Sequence, residues 1–181
     1  MYVSVLTYHL TLLACLGMLF LSACSGCKEI LVEEDPGSAM EKQMDAQTLE
    51  LAQYLSDGVV ERIPGGIRIT IYEAVLFAFD SAELSDAAFE RLDFFAESMH
   101  KYPGTQVLIV GHTDATGEKA YNQQLSLQRA ESVAGYLKQQ NVASKRMAMT
   151  SKGESEPIDT NDTEEGRQRN RRVELIITAV L

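Results

Sequence analysis

The run QVLIVGHTDATGEKAYNQQLSLQRAESVAGYLKQQ, Gln106 to Gln140, changes its hydrophobic period partway along. Gln106 to Val110 is short, apolar and rich in β-branched residues, as in a buried strand. Gly111 to Gly117 collects turn-forming residues, and from about Lys119 to Gln140 the apolar positions recur at helical spacing. At about 100° per residue from Tyr121, Leu125, Tyr136, Val133, Leu137 and Ala130 share one arc with Tyr121, predicted to face the core. Glu131 and Lys138 fall opposite, while Arg129 and Asn122 fall in the middle of the apolar arc. A buried guanidinium needs an anionic partner, because leaving it unpaired is strongly unfavourable. Asp114, in the loop opening toward the same helix end, is the candidate within the chain. An Asp114–Arg129 salt bridge and an anionic ligand both meet the need. If each group is only partly satisfied, the two together suit a zwitterion, the aspartate taking an ammonium and the arginine gripping a carboxylate through two donors.

Outward from that unit, Val59 to Ile63, the turn Pro64-Gly65-Gly66 and the alternating Ile67 to Ile71 predict a β-hairpin. Leu76 to Phe79 reads as a further short strand. Ser85 caps a helix with Ala88, Leu92, Phe95, Ala96 and Met99 on one face, ended by Pro103-Gly104. Strands follow around Arg146 to Ser151 and from Arg171 to Val180, the last with Val173, Leu175 and Ile177 on one face. A long loop lies between them. Strands alternating with helices in this order predict an α+β fold: an α/β sandwich of one mixed sheet with helices packed on one face.

The chain has 181 residues, 45% hydrophobic and 23% charged, which is ordinary for a globular protein. Its net charge of -10 lies wholly after residue 27, since Lys28 is the first charged residue. Such a surface repels phosphates, so nucleic acid is not an expected partner. Cys15, Cys24 and Cys27 all lie near the N-terminus and cannot all pair, which excludes a disulfide scaffold. With three histidines and no CxxC or HExxH spacing, neither a metal site nor another cofactor is expected.

Tyr2 to Leu21 is an apolar run about as long as a bilayer is thick. Leu21-Ser22-Ala23-Cys24 resembles the lipobox of bacterial lipoproteins, in which the cysteine is acylated. This implies a signal peptide over residues 1–23, although the run lacks the usual preceding Lys or Arg. Cys24 then becomes the lipidated N-terminus, its several acyl chains, palmitate among them, giving stable anchoring where one gives little. Residues 24–37, with Glu33, Glu34 and Asp35, read as an acidic tether. Met40, Met44, Leu51 and Leu55 predict an N-terminal helix over residues 38–58, capped by Ser38 and stopped by Gly58, ahead of a domain over residues 59–181.

Four separated motifs then stand in order. They are Val75 to Leu84 (VLFAFDSAEL), Gly111-His112-Thr113-Asp114, Tyr121-Asn122 with Leu125-Ser126 and Arg129-Ala130, and Gly166-Arg167 with Asn170 to Glu174 (NRRVE). Together they resemble the OmpA-like peptidoglycan-binding domain over about Ile67 to Ile177, and with the lipobox the peptidoglycan-associated lipoproteins. The departures are Lys152 where the family often has an aromatic residue and Arg169 where Gln is common.

The resemblance implies a noncovalent clamp on the peptidoglycan stem peptide, with Asp114 and Arg129 gripping the diaminopimelate zwitterion. Asn122, Arg171 and Thr113 match further pocket positions, and Thr163 to Gln168 matches a loop read as a solvated turn. Arg172 should point to the other face. The implied protein is an outer-membrane lipoprotein of a Gram-negative bacterium that tethers that membrane to the wall from the periplasm. Periplasmic or outer-membrane protein partners fit the same picture. The alternative is an inner-membrane stator or transport component with a wall-binding domain, weakened because no charge in Tyr2 to Leu21 marks an ion path. A wall hydrolase is disfavoured: only Asp114 is a motif-linked carboxylate, and His112 has no Ser or Cys nucleophile in a known arrangement.

Overall fold

The computed structural model describes residues 36–78 and 81–180. The apolar run, Cys24 and the tether up to residue 35 lie outside the described residues, as do Phe79 and Asp80. Helix α1 (Pro36–Tyr54) leads into strand β1 (Gly58–Ile63). The helix thus starts two residues before Ser38 and stops short of Gly58. Proline is tolerated in a first helical turn, and a bond from Gly58 N–H to Leu55 O turns the chain before the strand. Strand β2 (Gly66–Tyr72) pairs antiparallel with β1 through the two-residue link Pro64-Gly65, where Gly65 supplies a φ of 75°.

Next come short helix α2 (Glu73–Leu76), helix α3 (Asp86–Lys101), strand β3 (Thr105–His112), helix α4 (Lys119–Gln139), strand β4 (Met147–Gly153), helix α5 (Glu164–Asn170) and strand β5 (Arg172–Ala179). The single sheet has the order β1-β2-β5-β3-β4, with β3 and β4 parallel and the other pairs antiparallel. The fold is α+β, as expected. Two further expectations fail. Of the strand expected at Leu76 to Phe79, Leu76 ends α2 and Phe77 makes only an isolated bridge to Leu84, and α5 replaces the turn expected at 163–168.

Strand register explains the core. Across β2, β5 and β3 the side chains line up as Ile67–Ile177–Val107, then Ile69–Leu175–Ile109, then Ile71–Val173–Gly111. All but Gly111 present buried side chains to α3, α4 and α1. Met44, Leu51 and Leu55 join this cluster, so α1 belongs to the same compact unit as the sheet. Leu51→Ala should cost about 2–5 kcal/mol, read as a lower thermal midpoint; no change would mean that α1 is dispensable to the core.

On the opposite sheet face, Arg172 is buried and donates from Nε to Glu174 at 2.8 Å, with Arg68 3.7 Å from the same carboxylate. His112 lies there too, 3.7 Å from Glu174, with neither ring nitrogen hydrogen-bonded among the described residues. Burial, with the Arg172 charge added, pushes its pKa down to about 4, against the pull of Glu174 and Glu156. The folded state therefore holds His112 neutral, while the unfolded chain takes up its proton near 6.5. Stability should fall as pH drops from about 6.5 to about 4, by roughly 1–3 kcal/mol from this group. Denaturant melts at pH 7 and pH 4.5 test this. His112→Gln should flatten that difference, and an identical slope in both proteins would remove His112 as its cause.

Candidate ligand-binding cleft

A cleft of about 1560 Å³ opens where the loop after β3 meets the ends of α2, α4 and α5. Thr113, Asp114, Asn122, Arg129 and Arg171, the five residues expected from sequence, all line it. Asp114 is held by the turn it begins, its Oδ1 accepting from Thr116 N–H at 2.8 Å. Its Oδ2 accepts from Arg171 Nη1 at 2.6 Å. Asn122, buried on α4, donates from Nδ2 to the carbonyls of Asp114 and Thr116 and to Glu154. It staples the loop and so fixes where Asp114 points. Asn161 Oδ1 receives the Ala115 N–H at 3.1 Å and is itself held by Asn170.

Arg129 is buried, its side chain 3% exposed. It does not pair with Asp114. Its Nη2 contacts Glu73 Oε1, its Nε donates to the Ser81 carbonyl at 3.1 Å, and its guanidinium lies 5.3 Å from the Phe77 ring centre. The Asp114–Arg129 bridge considered from sequence is therefore absent. Arg171 takes the role instead, spanning Asp114, Glu73 (2.8 Å) and Glu164 (2.9 Å). Burial alone would lower the Arg171 pKa, but bonds to Glu164 and Asp114 and the charge of Glu73 raise it.

Thr113 Oγ1 is buried at the cleft with no hydrogen-bond partner among the described residues. Tyr121, placed on the core arc by the wheel, is 51% exposed and lines the cleft with Leu125. The buried arc is instead centred on Asn122, Ser126, Arg129, Val133 and Leu137. Sequence reasoning missed Glu73, which precedes an apolar run without any periodic signal, and gave Glu164 and Arg167 no part in a site. Among the described residues no group of three or more His, Cys, Asp or Glu is placed to hold a metal ion, and no helix is long and apolar enough to cross a membrane.

The sequence profile of the OmpA family matches residues 76–171, which contain all five expected cleft residues. The chain belongs to the OmpA family. The probable lipoprotein YiaD of Escherichia coli is 36% identical over 144 residues, covering 78% of this chain and 66% of that protein. The peptidoglycan-binding protein ArfA of Mycobacterium tuberculosis is 41% identical over 103 residues, covering 57% and 32%. Among solved structures, the cell wall anchor of the T6SS from Pseudomonas aeruginosa superposes with a TM-score of 0.65 at 34% identity, covering 72% of this chain and 97% of that one. The match spans 15–66% of the length of the first curated relatives, so it describes a domain more than a whole protein.

Proposed function

We propose that the OmpA-family cleft binds the peptidoglycan stem peptide through the free zwitterionic end of diaminopimelate. The observation that carries this reading is the separation of Asp114 from Arg129. Both line one cleft, they are not bonded to each other, and each is oriented by a third group. An ammonium suits Asp114 and a carboxylate suits Arg129. ArfA, a peptidoglycan-binding relative, supports the ligand class. The test is co-sedimentation of residues 28–181 with insoluble sacculi. Pelleting with the wall is expected, and a chain that stays in the supernatant refutes the reading.

The anchor belongs to the same proposal: acylated Cys24 in the outer membrane, the acidic tether, and the domain on the wall. The lipobox-like Leu21 to Cys24 and the likeness to a probable lipoprotein support it. The likeness to a wall anchor of the T6SS favours a second reading, a stator or transport component whose apolar segment is retained in the inner membrane. The mature N-terminus separates the two. An acylated Cys24 supports the lipoprotein, and a chain that keeps residues 1–23 supports the alternative.

A further inference from the structure

Glu73 opens α2 at the wall of the cleft and touches both arginines. Its Oε1 meets Arg129 Nη2. Its Oε2 lies 2.8 Å from Arg171 Nε, within ion-pair range but misaligned, so this oxygen has no hydrogen bond among the described residues. The charges alternate from Arg129 to Glu73, Arg171 and Asp114, with a second arm from Arg171 through Glu164 to Arg167. Among the described residues this network holds three guanidiniums and three carboxylates, so it is neutral. Without Glu73 it carries one net positive charge, and Arg129 keeps only the Ser81 carbonyl and the Phe77 ring as described neighbours.

We propose that Glu73 is the specificity-determining residue of the cleft, tuning it to ligands that bring an ammonium and a carboxylate together. The inference rests on the stem-peptide reading above. A carboxylate approaching Arg129 comes within close range of Glu73, and in a partly buried site this like-charge contact is poorly screened. A ligand that also carries an ammonium offsets that repulsion, because a cation beside Asp114 lies one guanidinium, that of Arg171, away from Glu73 and continues the alternation of charge. A neutral network therefore favours a neutral, two-signed ligand over an anion, and removing one carboxylate should relax the preference.

Three soluble probes test this by calorimetric titration. They are the tripeptide L-Ala-γ-D-Glu-meso-diaminopimelate with its alanine amine acetylated, the same peptide acetylated also on the free diaminopimelate amine, and the first peptide amidated on the carboxylate adjacent to that amine. The parent should prefer the zwitterionic peptide over the acetylated one by tenfold or more. Glu73→Gln, which preserves shape and an acceptor for Arg129, should narrow that ratio by about tenfold, and Glu73→Asp should retain most of it. Equal loss for all three probes in Glu73→Gln would mark a purely structural residue and overturn the inference. So would a parent ratio near one, which needs no variant and survives any folding defect in them. A parent that binds sacculi with an unchanged ratio in Glu73→Gln overturns the inference alone. A parent that binds neither sacculi nor any probe overturns the stem-peptide reading beneath it as well.

Discussion

Arg129→Ala should release the soluble chain from sacculi almost completely while leaving it folded. Truncating one partner of a desolvated charge pair across an interface costs about 2–5 kcal/mol, which is roughly thirtyfold in affinity or more. Folding should survive because Glu73, the group left behind, still has Arg171 beside it. The cost to stability is that of an acceptor losing one partner, about 1–3 kcal/mol. Asp114→Ala should behave alike, since Arg171 keeps Glu73 and Glu164. The two variants are informative together because Asp114 and Arg129 are not partners: a shared loss of binding points to a common ligand and not to a broken internal bridge. Arg129→Lys retains the charge without the two-donor fork and should fall between parent and Ala variant. Melting curves run beside the sedimentation assay decide the outcome. Full binding by both Ala variants removes the clamp, and an unfolded Arg129→Ala would make Arg129 a structural residue.

How much of this was legible depended on whether local pattern or distant contact set the answer. The hairpin at 58–72 and helices α3 and α4 follow from alternation, capping and helical spacing, all local signals. The burial of Arg129 and Asn122 was also visible, because a polar residue inside an apolar arc stands out. Their partners were not visible. Glu73 reaches Arg129 only because the folded chain brings together two residues 56 positions apart, a contact without a spacing rule. Helix α5 was illegible for a different reason: TEEGRQRN has no apolar period, and the helix is set by the Thr163 cap and by Asn170, whose side chain bonds Ile158, Asp159 and Asn161. The apolar run at 76–79 is too short for periodicity to separate strand from helix. Tyr121 was misplaced because the apolar residues set the wheel's mean direction, whereas close approach at one glycine sets the true one.

That glycine gives the largest expected effect on stability. Gly111 closes the third row of the sheet, beside Val173, and it alone in that row has no side chain. Helix α4 fills the space: a Cβ at Gly111 would stand 1.9 Å from the Ser126 carbonyl oxygen and 2.7 Å from its carbon. Both are backbone atoms of a helix, so a rotamer change offers no relief, and α4 must shift by about 1 Å or more to restore contact distance. Gly111→Ala should therefore cost about 3 kcal/mol or more, a fall in the thermal midpoint of roughly 10 °C for a chain of this size. Gly135→Ala supplies the opposite sign on the same helix. Nothing lies within 4 Å of its added Cβ, and alanine is the better helix former by roughly 0.5–1 kcal/mol. The effect on binding should exceed what unfolding explains, because the shifted segment carries Asn122 and Arg129 and its Ser126 hydroxyl accepts the Gly153 N–H. Binding per folded molecule, measured well below the melt, tests that coupling. If Gly111→Ala lowers the midpoint yet binds sacculi like the parent, the cleft tolerates movement of α4 and its geometry is set by the Asp114 loop alone.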